Sequence, residues 1–407
     1  MPVGFVGWEE RKVARLSTAV VALAALLGLG ACAQRVSPAP QEAQSLPPAP
    51  TAPAQPDAPR DNRTRVAVLL PLSGSNAQLG SALLDAAQLA VFDTADESLE
   101  LVARDTRGTH QGAAEAARQV TAEGARMIIG PFFSTAVQGA APVAWTQSVP
   151  MIALTSDRSV ASQGVWAFGF APAAQVERVV GYAASQGLRR IAAMVPSNAY
   201  GNAVATAFEG AARRNGATVV RVQRFDPTAP DVRPEVQRLL GPGGGADPGF
   251  DALLIAEGGP KLREIASIAV ADGMDPRRVR LLGTGLWDER DIGREPVLVG
   301  GWFAAAPPEA RAGFEQRYEL VYGRRPPRLA TLAYDAMQLA AVLARGPEPL
   351  GFDERVLTSP EGFAGVDGIF RLLPDGSVER GLAVLEVQPE GFRVVDPAPQ
   401  DFLPRQF

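Results

Sequence analysis

The sequence predicts an α/β fold of two lobes, each built on a parallel sheet. Three observations carry this expectation. Apolar runs of strand length alternate with helical patterns along most of the chain, the connections between them are short, and the series starts afresh near Ala171. With 407 residues, 46% hydrophobic and 20% charged, the chain can bury more than one core.

The first unit sets the pattern. Val66 to Leu70 is an apolar strand, Pro71 to Asn76 is a turn, and from Leu79 the apolar residues Leu79, Leu83, Leu84, Ala87 and Ala90 fall at helical spacing. A strand buried on both faces, a tight loop and an amphipathic helix make half of a βαβ unit. The loop offers Ser73 and Ser75 to a polar ligand but lacks Gly-x-Gly-x-x-Gly, so it is no dinucleotide fingerprint. Strands at Leu99–Ala103, Arg126–Ile129, Val149–Leu154 and Val165–Phe170 continue the first set. Pro172 opens a helix, and Arg190–Val195, Ala217–Arg224, Phe250–Ala256 and Val279–Gly283 form a second set, again with helices between. Helices at Pro308–Tyr322 and Leu329–Ala344 follow. Gly368–Leu373 and Leu382–Val387, flanking Pro374-Asp375-Gly376-Ser377, read as a hairpin, and the Pro-rich tail beyond Gly391 is expected to fray.

The N-terminus reads as an address. Arg11, Lys12 and Arg15 precede an apolar stretch from Leu16 to Leu29, too short for a membrane span. It ends in Leu29-Gly30-Ala31-Cys32, which resembles a bacterial lipobox, with Cys32 the only cysteine. Lipidation of Cys32 implies a membrane anchor, and Ala33 in place of Asp implies sorting to the outer membrane, facing the periplasm. Residues 33–63 alternate Pro with Ala, Gln and Ser and read as a disordered tether. Extended, that tether reaches on the order of 90 Å.

Several function classes are excluded. A net charge of −5, without basic patches interleaved with aromatics, argues against nucleic acid. His110 is the single histidine, so neither a His/Cys metal site nor a Ser–His–Asp arrangement can be assembled around it. Gly241-Pro242-Gly243-Gly244-Gly245 lacks the Lys-Ser/Thr of a phosphate loop. Asp288 and Glu289 suit solvated charges as well as a carboxylate pair. The expectation is a protein without catalysis and without a cofactor.

What remains is a cleft lined by loops after parallel strands. Ser134 and Thr135 start a helix, where free amides and the dipole suit an anion, although simple capping explains them equally. Thr155 and Ser156 follow the next strand, and Asn198 and Tyr200 face them from the second lobe. Asp105, Glu257, Trp287 and Asp288, each at or just after the end of a strand, complete the cleft candidates.

Pro71-Leu72-Ser73-Gly74, Asp105-Thr106-Arg107-Gly108, Ile129-Gly130-Pro131, Tyr200-Gly201 and Tyr334-Asp335-Ala336 resemble, in order and spacing, the type 1 periplasmic binding proteins of the Leu/Ile/Val class. The resemblance spans about Arg65 to Val395. It implies two Rossmann-like lobes joined by three crossovers and hinged around a cleft. It also implies a ligand carboxylate at Ser134 and Thr155. The Glu that would meet an amino acid's ammonium is replaced by Gly285, and the cleft Tyr by Gly258 or Gly259. Thr155-Ser156-Asp157-Arg158-Ser159 and Gly283-Thr284-Gly285-Leu286-Trp287-Asp288 are also similar to penicillin-binding-protein activator lipoproteins. That branch implies regulation of peptidoglycan synthesis through a penicillin-binding protein. The importer branch implies an ABC permease as partner and a small polar ligand such as an amino acid. The expected plan is a signal segment at 1–32, a tether at 33–63, a binding domain at 64–395 and a tail at 396–407. Within the domain, lobe 1 takes about 64–170 and 303–345, and lobe 2 about 171–302 and 346–395.

Overall fold

The computed structural model describes residues 63–95, 97–241, 247–345 and 350–402. The signal segment with Cys32, the tether up to residue 62 and the glycines at 243–245 lie outside the described residues.

The first lobe alternates as the spacing predicts. It runs β1 (Thr64–Leu70), α1 (Ala77–Thr94), β2 (Leu99–Asp105), α2 (His110–Ala122), β3 (Met127–Ile129), α3 (Ser134–Thr146), β4 (Met151–Ala153) and β5 (Val165–Ala167). These strands form one parallel sheet in the order β2-β1-β3-β4-β5. The second lobe follows with α4 (Pro172–Ser185), β6 (Arg190–Pro196), α5 (Ala199–Arg214), β7 (Thr218–Phe225), α6 (Arg233–Leu240), β8 (Ala252–Ile255), α7 (Gly259–Ala271), β9 (Arg280–Gly283) and β10 (Trp302–Ala305). The chain then returns to the first lobe as α8 (Pro308–Tyr322), α9 (Ala330–Ala344), α10 (Glu354–Leu357) and an antiparallel sheet of β11 (Phe363–Gly365), β12 (Gly368–Leu372) and β13 (Val378–Arg380). Finally β14 (Ala383–Val387) and β15 (Phe392–Asp396) rejoin the second lobe, whose sheet runs β15-β14-β10-β9-β8-β6-β7. Only β14 and β15 in that sheet are antiparallel to their neighbours.

Val66 to Leu70 are fully buried because helices cover both faces of the first sheet. Val66, Val68 and Leu70 pack with α1 and α9, while Ala67 and Leu69 pack with α2 and α3. The second sheet is covered in the same way, with α4 and α5 on one face and α6 and α7 on the other. The chain crosses between lobes three times, at 169–171, 306–307 and 381–382.

The return segments differ from expectation. Trp302 to Ala305 complete the second sheet rather than reopen the first lobe, because β10 pairs with β9. Residues 350–380 pack on the first lobe, not the second. Phe370 and Leu372 fill its core, and Trp166 Nε1 donates to Leu373 O at 2.8 Å. The hairpin therefore closes with β13 rather than with Leu382–Val387, which pairs antiparallel with β10 instead. The segment beyond Gly391 is ordered into β15 by pairing with β14 up to Asp396. None of the described helices is long and apolar enough to cross a membrane.

Trp287 is a core residue, not a cleft residue. It is fully buried in the loop after β9, and its Nε1 donates to Ile255 O at 3.2 Å. The indole lies where side chains would otherwise be. A Cβ on Gly283 would sit 2.2 Å from it, and one on Gly301 2.7 Å. The two glycines thus make the slot that the ring fills. Trp287→Ala empties this slot, so it is expected to destabilise the domain by roughly 3–5 kcal/mol. Urea unfolding followed by circular dichroism checks this; an unchanged midpoint contradicts the packing role.

Candidate functional site

The two lobes enclose a cavity of about 520 Å³ at the carboxyl ends of their parallel strands. The first lobe contributes Phe132, Phe133 and Ser134 from the β3–α3 connection, Leu154, Thr155 and Ser156 after β4, and Leu329 and Leu332 at the start of α9. The second contributes Gln175 on α4, Tyr200 on α5, and Gly285, Leu286, Asp288 and Glu289 after β9. Phe170, Ala306 and Leu382, from the three crossings, also line it. The wall is mostly apolar with a few polar groups, the usual composition of a small-molecule site.

Helix α3 points its N-terminus at this wall. The amides of Ala136 and Val137 both reach Phe133 O, and no side chain caps the helix. The first-turn amides of Ser134 and Thr135 precede that hydrogen bonding and suit an acceptor. The Ser134 hydroxyl is turned to Asp157, a residue off the cavity wall. The Ser159 hydroxyl, chiefly, outweighs burial there and, with the Ser159 amide and Ser134, holds the Asp157 carboxyl below its ordinary range. Thr155 Oγ1 accepts from the Asp157 amide at 3.2 Å. Burial, chiefly, pushes the Tyr200 phenol up to about 12, so it stays protonated at neutral pH, hydrogen-bonded to Thr284 Oγ1 at 2.8 Å.

Both acidic side chains on the wall are already occupied. Asp288 Oδ1 and Oδ2 accept from Arg311 Nη2 and Nη1 at 2.7 Å each, and Oδ2 also accepts from Arg328 Nε at 2.7 Å. Glu289 accepts from the Gly259 amide at 2.7 Å and from Arg263 Nη2 at 3.1 Å. Gln175 is 8% exposed, and its Oε1 accepts from the Gly285 amide at 2.8 Å. That bond fixes the orientation of the amide group. A Cβ on Gly285 would lie 3.0 Å from Gln175 Nε2, so the glycine leaves the amide its place.

The Asp288 pairs join the lobes. Asp288 belongs to the second lobe, while Arg311 on α8 and Arg328 before α9 belong to the first. The Asp288 side chain is only 2% exposed. Arg328 continues the network to Asp367 with bonds of 2.8 and 3.1 Å, and its guanidinium stacks on Phe170 at 4.4 Å. Burial opposes the Arg328 charge, but Asp367 and Asp288 outweigh it and raise its pKa. Beyond Asp367, the Asp335 carboxyl is pushed up to about 7 by burial first and the Asp367 charge second. Asp335 accepts from the Val366 amide at 2.7 Å and so holds the loop that presents Asp367.

Of the residues singled out from sequence, Ser134, Thr155, Ser156, Tyr200 and Asp288 lie on the cavity wall. Asp288 is a buried lobe-bridging anion rather than a solvated charge, because two guanidiniums enclose it. The other cleft candidates lie off the wall. Asp105 accepts from the Leu72 and Arg107 amides at 2.9 and 2.7 Å, fastening the β1 loop to the β2 loop. Burial raises the Asp105 pKa, but Ser73 and those amides together hold it below its ordinary value. Ser75 and Thr135 are exposed. Asn198 caps α5 by accepting from the Gly201 amide at 2.9 Å. Glu257 accepts from the Gly258 amide at 3.1 Å. The wall residues missed from sequence are Phe132, Phe133, Phe170, Gln175 and Arg328; Glu289, weighed with Asp288 as a solvated charge, also stands on the wall, paired with Arg263 and the Gly259 amide. Only the position of Phe132 and Phe133 after a buried strand could have signalled any of them.

Residues 63–392 match the profile of a family described as periplasmic binding protein. No curated protein matches the chain. Solved structures share the fold. A protein from Rhodospirillum rubrum described as a branched-chain amino acid ABC transporter is 22% identical, with a TM-score of 0.73 over 82% of this chain and 100% of its own. A leucine-binding protein from Thermotoga maritima is also 22% identical, with a TM-score of 0.60 over 81% and 97% of the two chains. An ABC-transporter solute-binding protein from Rhodopseudomonas palustris, in complex with benzoate, is 18% identical, with a TM-score of 0.60 over 83% and 98%.

Asp288→Ala leaves two buried guanidiniums without their shared anion. It is expected to cost roughly 3–5 kcal/mol of stability and to increase the radius of gyration in small-angle scattering, as the lobes lose their bridge. Wild-type dimensions and stability in this variant contradict the bridging role.

Proposed function

Since the chain belongs to the periplasmic binding protein family, we propose that it is the substrate-binding component of an ABC importer, taking a small and largely apolar solute into the cleft. The carrying observation is the interlobe cavity of about 520 Å³, walled by both lobes and by all three crossings. Its size and apolar character suit a ligand of roughly a dozen heavy atoms. The names carried by the structural relatives, an amino-acid transporter and solute-binding proteins of ABC systems, support the same reading. The protein works by binding rather than catalysis, in the cell envelope, tethered through Cys32 and residues 33–63. Regulation of a penicillin-binding protein, which the sequence also suggested, draws no support from these matches.

The test is differential scanning fluorimetry of the purified chain against a panel of amino acids, 2-oxo acids, aromatic acids and sugars. A solute at a hundred times its dissociation constant stabilises the bound state by about 2.7 kcal/mol, expected as a rise of several degrees in the unfolding temperature. In parallel, crosslinking in cells is expected to capture a permease. A flat panel together with capture of a penicillin-binding protein would overturn the importer reading in favour of the activator.

A further inference from the structure

The polar groups facing the cavity are unequal in kind. We infer that this cleft selects an apolar carboxylate bearing a carbonyl or hydroxyl oxygen and carrying no ammonium group, with Gln175 as the residue that reads the oxygen. The inference rests on the reading of the cleft as a solute site and adds the chemical class of the solute.

A ligand ammonium needs an acceptor, preferably a carboxylate, once it leaves water. The wall has two carboxylates, and neither is free. Asp288 is enclosed by Arg311 and Arg328, and Glu289 by Arg263 and the Gly259 amide. Taking either would break an existing ion pair: Asp288 with Arg311 and Arg328, or Glu289 with Arg263.

Donors, in contrast, are available. Gln175 is more than nine-tenths buried, and the Gly285 amide fixes its Oε1. Its Nε2 has no hydrogen-bond partner among the described residues and is not sealed from the cavity that Gln175 lines. A donor held in fixed orientation at the cavity wall loses its water when a ligand fills the cleft, so a ligand that brings an acceptor there is favoured over one that leaves the donor unpaired. Thr155 accepts from the Asp157 amide, which leaves its hydroxyl proton to donate. The first-turn amides of α3 add donors suited to a carboxylate. Arg328 engages Asp288, Thr331 and Asp367 through four of its five N–H groups, leaving one on Nη2 without a partner among the described residues. Between these groups the wall is Phe132, Phe133, Phe170 and leucines, which match an aliphatic or aromatic body. Donors around an apolar middle, with no free carboxylate for a cation among the described residues of the wall, describe the complement of an oxo or hydroxy acid.

Calorimetry of the purified full chain with three acids on one carbon skeleton tests this. The probes are 4-methyl-2-oxopentanoate, leucine and 4-methylpentanoate. The oxo acid is expected to bind at least 100-fold more tightly than leucine and at least 10-fold more tightly than 4-methylpentanoate. Gln175→Met keeps the side-chain length but removes the donor. It is expected to bring the oxo acid down to the affinity of 4-methylpentanoate, whose own binding stays unchanged; a merely structural role would weaken both alike. Gln175→Glu retains an acceptor for the Gly285 amide and is expected to improve leucine relative to the oxo acid at least tenfold. Leucine binding as tightly as the oxo acid in the wild type, or equal loss of both acids in Gln175→Met, overturns the inference and leaves solute binding intact. Silence with all three acids, from a chain with native circular dichroism, also overturns it; the importer reading is then decided by the wider panel and the crosslinking.

Discussion

The arrangement of this protein depends on one buried anion. Asp288 sits on a loop of the second lobe and is held by two arginines of the first. A carboxylate removed from water must be compensated fully, and here three charge-assisted bonds do so from across the lobe boundary. The two sheets have separate cores and share no strand; besides the three crossings of the chain, the Asp288 pairs and the Arg290–Glu315 pair at 2.6 Å bridge them. The same constraint extends outward through Arg328 and Asp367 to the loop that Asp335 holds from α9. Separating the lobes would strand the Asp288 carboxylate and leave Arg311 with Glu315, and Arg328 with Asp367, as their remaining partners.

That network also sets the character of the cleft. Arg328 stands at the cavity wall with most of its donors committed, and its flat face rests on Phe170. The acidic groups that a cleft might use for a cation are absorbed into lobe bridging and loop fastening. The remaining polarity is of the donating kind and sits within an apolar surface. Each lobe contributes: α3 and Thr155 from one, Gln175 and Tyr200 from the other.

Much of the fold was legible in the sequence because burial on both faces writes itself as continuous apolar runs. Val66 to Leu70 and Leu253 to Ile255 could hardly be anything but central parallel strands. The changeover at Ala171 was legible for a similar reason, since Pro172 can open a helix but not continue a strand. The return segments were less legible. Gly368 to Leu372 and Ala383 to Val387 both read as strands, with a clear turn after the first. Yet they belong to different lobes, because pairing partners are chosen by the tertiary docking of β12 on the first core and of β14 beside β10. The tail beyond Gly391 carries Pro residues that suggest fraying, but its strand at 392–396 ends before them.

For the site, the sequence by itself determined the loops and the chemistry they lack: no dinucleotide fingerprint, and a single histidine around which neither a His/Cys metal site nor a triad can be assembled. It also determined that Ser134 begins a helix and that Thr155 ends a strand, since both follow from local periodicity. Only the tertiary structure decided which side chains meet. Trp287 reads as a cleft aromatic in a polar loop, yet Gly283, at the end of β9, and Gly301, just before β10, make the slot that takes it inward. Asp288 reads as a surface charge until Arg311 and Arg328, more than twenty residues downstream, enclose it. Gln175 lies in an ordinary amphipathic helix, and it becomes distinctive because the Gly285 amide, more than a hundred residues away, fixes its orientation. Local patterns are set by the backbone and its immediate neighbours. The identity of a partner across the lobes is set by how two separate cores come together, and that information is spread over the whole chain.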